Sequence, residues 1–417
     1  MKRLVLAVML FAAAPATATD VTAITGATVW TMTGDRPLEN ATILIRDGRI
    51  LSVQERGPVP ADAVRISGEN RIVTPALVDA ATQIGLGEVG GIDEERRGQV
   101  DKGPLGAAFD VAYGFDEEDQ AVQQARADGV GWALVYPDGS GSAPFDGAAA
   151  LVRLGARDAA VARTRSAMLV TIGGGSAALV GGSTAAAWQL LRNALDEARA
   201  YRPSASPRDQ LLNHLDAEAL KPVLEGTIPM VVRCDRLADV RQAIALRRDY
   251  GLRIIIFGGA EAWAAARELA VAQVPVILDP MATLPDSYDR LGARPDSAAL
   301  LASAGVPLAF SVSAQGIYRS WDAGPSMREG AGLAVASGLP YRAALAAITS
   351  GAAQILGLPA ESGTLAPGAK ADLVIWDGDP LEPSSAPVAV ILDGEKVSPV
   401  TRQTLLRDRY APPSVKP

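Results

Sequence analysis

The sequence predicts an α/β chain: a (β/α)8 TIM-like barrel joined to a small composite β-sandwich domain built from the N- and C-terminal segments. Three observations point there. Short, fully apolar runs alternate with helix-like stretches through the middle of the chain, and strand and turn signals occupy both ends. The chain of 417 residues, 48% of them apolar, is also long enough to bury a large core. We divide it into a leader at 1–18, a composite β-domain at 19–71 and 359–417, and a barrel at 72–358.

The leader begins with Lys2 and Arg3, continues through an apolar run to Ala14, and ends in the small residues Ala16-Thr17-Ala18. That order of charge, apolar run and small-residue site is the pattern of a removable export signal. Its apolar run is too short to span a bilayer, and no later segment offers about 18 uncharged apolar residues. An exported, periplasmic protein with no transmembrane segment in the mature chain is the expectation. The only cysteine, Cys234, has no partner for an internal disulfide, which a core of this size does not need.

After the leader, ATVW (27–30) and ATILIRDGRILSV (41–53), with Asp47-Gly48 as a hairpin turn, read as short strands. In the barrel segment the runs IPMVV, RIIIF, VPVIL and VPLAF have the length and purity of buried parallel strands. Between strands, Trp188, Leu191, Leu195 and Ala198 share one helical face and Arg192, Asp196 and Arg199 the other. Strand and turn signals return in GTLAPGAKADLVIWDGDP (363–380) and VAVILDGEKV (388–397), with Asp393-Gly394 as a second hairpin turn. A barrel flanked by two β segments implies that the segments pair. The formal charge of −8 becomes about −10 once Lys2 and Arg3 are removed, which argues against a nucleic-acid partner.

Two motifs carry a family resemblance in combination. IVTPALVDAATQIG (72–85) resembles the first barrel strand of the amidohydrolase superfamily, above all its imidazolonepropionase-like branch, where the strand leads through Pro-Gly-Leu-Ile-Asp to His-x-His. GTLAPGAKADLVIWD (363–377) resembles the superfamily's return to its β-domain, and REGAGLA (328–334) and ALAAITS (344–350) resemble the helices after its last barrel strand. The resemblance implies a metal-dependent hydrolase acting on non-peptide carbon–nitrogen bonds.

At the implied metal positions the chain departs from that pattern. The first-strand ligands are replaced by Ala81 and Gln83, later histidines by Arg233 and Gly258, and the aspartate after the eighth strand by Ser313. The whole chain holds one histidine, His214. A methyl group cannot bind a cation, a neutral amide is a poor substitute for imidazole, and a permanent guanidinium repels a metal. A hard-cation site of Asp79, Asp235 and Asp279 alone is the weighed alternative, and Arg233 works against it. The expected role of Arg233 is instead to face the barrel interior as the fixed cation of the mouth, paired with one or more of these aspartates. Bound zinc lowers the pKa of water to about 7, so its loss raises the cost of hydroxide by roughly nine pKa units, or about 12 kcal/mol.

Other chemistries find less support. His214 sits in a polar and apolar helical mixture, and no Gly-x-Ser-x-Gly elbow accompanies it. If Arg233 faces inward, Cys234 beside it faces the helices as a buried thiol. GGGSAALVGG (173–182) lacks the Gly-Lys-Ser/Thr ending of a phosphate loop and reads as a turn before a helix capped by Ser183 or Thr184. The charged run 93–97 belongs at the barrel mouth as a solvated loop. No catalytic residue and no cofactor are assigned. The ligand-pocket candidates are Asp79, Gln83, Arg233, Asp235, Asp279 and Ser313. The expected function is a non-hydrolytic protein on this frame, with a small molecule at the barrel mouth, a second copy of itself or an active relative as partner. A hydrolase of cyclic amides or small peptides, with an unusual metal or none, is the alternative.

Overall fold

The computed structural model describes residues 21–87, 97–139, 144–202, 210–312 and 322–411. The chain opens with β1 (Thr22–Val29), β2 (Leu38–Arg46), β3 (Arg49–Glu55), β4 (Val64–Ser67) and β5 (Ile72–Pro75). Asp47 and Gly48 turn β2 into β3 with φ of 52° and 71°. Two successive left-handed residues match the twist of paired strands, which is why an Asp-Gly pair is found there. Eight strands then form the barrel sheet: β6 (Leu77–Thr82), β7 (Val130–Val135), β8 (Phe145–Leu154), β9 (Ala159–Thr171), β10 (Met230–Cys234), β11 (Ile254–Gly258), β12 (Val276–Leu278) and β13 (Leu308–Phe310). The chain closes with β14 (Leu373–Trp376), β15 (Pro387–Leu392) and β16 (Glu395–Lys396), and β14 pairs antiparallel with β5.

The two ends therefore build one β-domain. Hydrogen bonding runs continuously in the order β16-β15-β14-β5-β1-β2-β3, with β4 alongside β1. Its core joins Ile24, Ile43 and Ile45 of the first segment to Leu365, Leu373 and Ile375 of the last. The N-terminal share reaches Pro75 rather than residue 71. The run IVTPALVDAAT is split by Ala76, with IVTP in the composite sheet and LVDAAT in the barrel.

The barrel departs from eight parallel strands. Strands β6 and β7 are parallel, as are β9 through β13, but β8 runs antiparallel to both β7 and β9. The cause is local. Only four residues separate β8 from β9, closed by the Gly155 N–H donating to the Asp158 carbonyl at 2.7 Å. So short a link joins antiparallel neighbours, because a parallel pair needs a crossover of a dozen residues or more.

Alternation along the strands separates two cores. On β10, Met230, Val232 and Cys234 pack outward against the helices, while Val231 joins Val78, Leu134, Leu169, Ile255 and Ile277 inside. The helix Ser350–Ile355 adds Ala352, Ala353 and Ile355 to this interior core at the starting ends of the strands, where Gly351 lies against Leu308. The helix Thr184–Arg199 buries Trp188, Leu191, Leu195 and Ala198, and the Ser183 hydroxyl caps it by accepting from the Ala186 N–H at 3.3 Å.

Two arginines fasten barrel to β-domain. Arg153 of β8 donates through Nη2 to Asp372 Oδ1 at 2.6 Å and lies over Trp132. Arg328, buried on the helix Ala323–Ala336, donates to the carbonyls of Pro380 at 2.8 Å and Ser385 at 3.1 Å, with its guanidinium 4.7 Å from the Trp376 ring. It also offsets the negative charge of Asp128, whose carboxyl burial pushes up to about 7. Removing one member of such a buried set strands the others without partners. Arg328→Ala should lower unfolding free energy by about 3–5 kcal/mol in urea denaturation, and a loss below about 1 kcal/mol would show that the pin is not structural.

Candidate functional site

Seven of the eight barrel strands point their C-terminal ends to one mouth, and the antiparallel β8 starts there. Asp79 lies midway along β6, buried on all sides. Its Oδ1 accepts the Ala81 N–H at 3.3 Å and lies 3.1 Å from the Ser311 hydroxyl, which also contacts the Ala81 carbonyl closely. Burial dominates here and lifts the Asp79 carboxyl to about 7, against the opposing pull of Ala81, Ser311 and Thr82. Ser311 has one proton for two acceptors. A protonated Asp79 removes the shortage, since its own hydroxyl then donates to Ser311.

Arg233 shares the interior face of β10 with Val231 and reaches the mouth. Its Nη1 donates to Asp138 Oδ1 at 3.1 Å, and its guanidinium sits 5.6 Å from the centre of the Phe257 ring on the paired position of β11. Its ion-pair partner is therefore Asp138, not the expected Asp79, Asp235 or Asp279. Asp138 stands just beyond β7, and its approach depends on the hairpin path of β7 and β8, which the sequence reading did not contain. Asp235 feels the positive charge of Arg233 but bonds elsewhere: it accepts the Ala260 N–H at 3.0 Å and lies 4.0 Å from Arg290 Nε. Asp279 accepts the Met281 N–H at 2.9 Å, closing a turn after β12.

The hairpin also delivers Asp146, a residue the sequence reading missed. Its carboxylate accepts from the Thr171 hydroxyl at 2.6 Å, and burial pushes the group up to about 7 despite Thr171 and Arg233. Tyr136 follows β7 and packs edge-on against Phe257 with ring centres 5.4 Å apart. Its hydroxyl is buried, raised by that burial, and has no hydrogen-bond partner among the described residues. An unanswered run of five small or apolar residues before Tyr136 was the only signal in the sequence that its ring would end inside the barrel.

The remaining candidates scatter. Gln83 lies just past β6, half-buried, with its carbonyl accepting from Leu86. Ala81 is buried among the interior apolar side chains. Ser313 lies outside the described residues, as do 93–96 of the charged run. His214 begins the helix His214–Leu224 behind an Asn213 cap, its ring 6.0 Å from that of Tyr201. Cys234 is buried and its thiol is pushed well up by that burial. The glycine-rich stretch holds a helical turn, Gly174–Ala177, continued by a 3-10 turn over Ala178–Val180 and ended by left-handed Gly181 and Gly182.

Among the described residues, no three His, Cys, Asp or Glu side chains come close enough to hold a metal ion. Gly258 shows why ligands cannot simply be restored: φ is +93°, and a Cβ there would stand 2.9 Å from Asp235 Oδ1. An imidazole at this position would displace Asp235. At the ends of β10, β11 and β12 the mouth offers a cavity of about 80 Å³, lined by Arg233, Asp235, Phe257, Gly258, Asp279 and Arg290 among others.

Comparison with known proteins places this architecture. Residues 312–398 match the model of the amidohydrolase family. An amidohydrolase of Hapsidospora irregularis, TasK, is 24% identical over 84% of this chain, which spans only 39% of that longer protein. The crystal structure of an amidohydrolase from Thermotoga maritima superposes with a TM-score of 0.78 at 22% identity, covering 90% of this chain and 99% of the other. The N-isopropylammelide isopropylaminohydrolase of Burkholderia multivorans gives 0.54 at 16% identity over 90% and 98%. A prolidase bound to N-methylphosphonate-L-proline gives 0.54 at 17% over 91% and 99%. The chain shares its fold with these solved structures.

Asp79 and Asp146 make stability depend on pH in a direction opposite to that of acids held below their ordinary pKa by a cation. Between about pH 4 and 7 the folded chain keeps both protons while the unfolded chain, with ordinary carboxyls near 3.9, has released them. Their contribution is therefore present below about pH 4 and is lost as pH rises to 7, at about 1.4 kcal/mol per pH unit for each group. Asp79→Asn and Asp146→Asn should each flatten the decline in urea-unfolding free energy between pH 5 and 8. An unchanged slope would mean that these carboxyls are ionised throughout.

Proposed function

We propose that this chain is an exported, non-hydrolytic protein on the amidohydrolase frame, near the imidazolonepropionase-like branch, that binds a small molecule in the barrel mouth. The observation that carries this reading is Arg233. A guanidinium on the interior face of β10, fixed by Asp138 and Phe257, stands where the family resemblance puts a ligating histidine. The leader-like residues Lys2 to Ala18 support export, and the motif at 72–85 supports the branch. No described helix is long and apolar enough to cross a membrane.

A second reading keeps a reaction. Asp79 and Asp146, both held near 7, have the proton affinity that general acid–base work at neutral pH requires. Neighbours named amidohydrolase and prolidase give that alternative its class, hydrolysis of a carbon–nitrogen bond in a cyclic amide or small peptide. Fold by itself does not decide between the two. Among the described residues the mouth lacks a placed nucleophile, and a carboxyl alone recovers only part of the cost of making hydroxide.

Elemental mass spectrometry on untagged mature protein, paired with turnover assays on amides, lactams and dipeptides, separates the readings. The expected result is far less than one equivalent of zinc, manganese or iron, cooperative unfolding unaffected by chelator, and no turnover above background. One equivalent of metal with turnover would overturn the proposal, and turnover without metal would move the function to the second reading.

A further inference from the structure

Resting on the ligand-binding reading, we infer that the cavity at the ends of β10, β11 and β12 takes a small carboxylate, anchored by the unpaired edge of the Arg233 guanidinium. Three arginines line this cavity, and two are already committed. Arg290 donates to Asp286 at 3.1 Å and to the Ala282 carbonyl, and Arg294 grips both oxygens of Asp296 while stacking 4.6 Å over Trp263. Arg233 makes one hydrogen bond, from Nη1 to Asp138. Among the described residues its Nε and Nη2 have no acceptor, and that pair of N–H groups is the edge that matches two carboxylate oxygens.

The surroundings select for charge and size. Phe257 beneath the guanidinium holds its plane, and Gly258 keeps the adjacent wall open because a side chain there would meet Asp235. Asp235 and Asp279 on the same cavity oppose a dianion, so a single carboxylate suits the site better than phosphate. A cavity that takes benzene measures about 150 Å³, so about 80 Å³ admits a carboxylate with a short tail.

The test is calorimetry and thermal shift on the full chain with acetate, propionate and butyrate, against inorganic phosphate and butylamine. The carboxylates should bind and raise Tm, phosphate more weakly and butylamine not at all. Arg233→Lys keeps the charge but loses the fork and should weaken butyrate by about tenfold, and Arg233→Gln by more. Asp138→Asn, on a half-exposed residue, removes the competing acid and should tighten butyrate several-fold, so the inference stays testable even where Arg233→Gln does not fold. Absence of carboxylate binding to the folded wild type, phosphate binding more tightly than butyrate, or affinity unchanged in both Arg233→Lys and Asp138→Asn would overturn it. None of these outcomes involves metal or turnover, so the ligand class can fail while the non-hydrolytic reading stands, and metal-linked turnover can end that reading whatever butyrate does.

Discussion

The mouth of the barrel depends on how its sheet closes. Strands β6 and β13 end the hydrogen-bonded order, and the closure between them is carried by side chains, with Ser311 bridging Asp79 and the Ala81 carbonyl. A carboxyl buried this deeply is tolerable because burial raises its pKa to about 7, so it is uncharged below that pH, and because its neighbours rather than water satisfy it. The bridge fixes β6 against β13 and so sets the width of the opening into which Tyr136, Asp146 and Arg233 project. An acid in the first barrel strand thus has a structural task here.

The residues of the mouth work as a set. Gly258 leaves room for the Asp235 carboxylate, Asp235 in turn fixes the loop after β11 through the Ala260 N–H, and the open wall beside Gly258 leaves space in front of the guanidinium. Arg233 lowers the cost of the acids around it, because Asp138, Asp146 and Asp235 all lie in its field. Returning a histidine to position 258 would meet the Asp235 carboxylate.

The architecture was legible where it depends on local pattern. Apolar runs gave most of the buried parallel strands, the two Asp-Gly turns fell where the hairpins form, and the alternation of MVVRC divided Val231 and Arg233 from Met230, Val232 and Cys234. What could not be read depends on the path of the chain. The sequence of β8 and β9 shows strand character but no sign of which way β8 runs, and without that direction neither Asp146 nor Asp138 could be brought to Arg233. A hydrogen bond such as Ser311 to Asp79 joins residues from opposite ends of the barrel, which no local pattern encodes. The composite domain was legible as a pairing of termini, but its boundary at Pro75 was hidden inside one continuous motif.

The tips of the two hairpin turns meet across the β-domain: Gly48 packs so tightly against the 393–394 turn that a Cβ on it would stand 2.6 Å from the Asp393 carbonyl oxygen. These tips come from nearly opposite ends of the polypeptide. A nascent chain therefore presents β1 to β5 long before β14 exists, leaving β5 with an uncovered edge while the barrel is still being made. Contacts of such long sequence separation form late, because the intervening loop must be ordered before they bring any gain. The β-domain is in that sense a clasp, shut only when the last strands arrive, and a chain broken off before residue 373 would keep its edge open to aggregation.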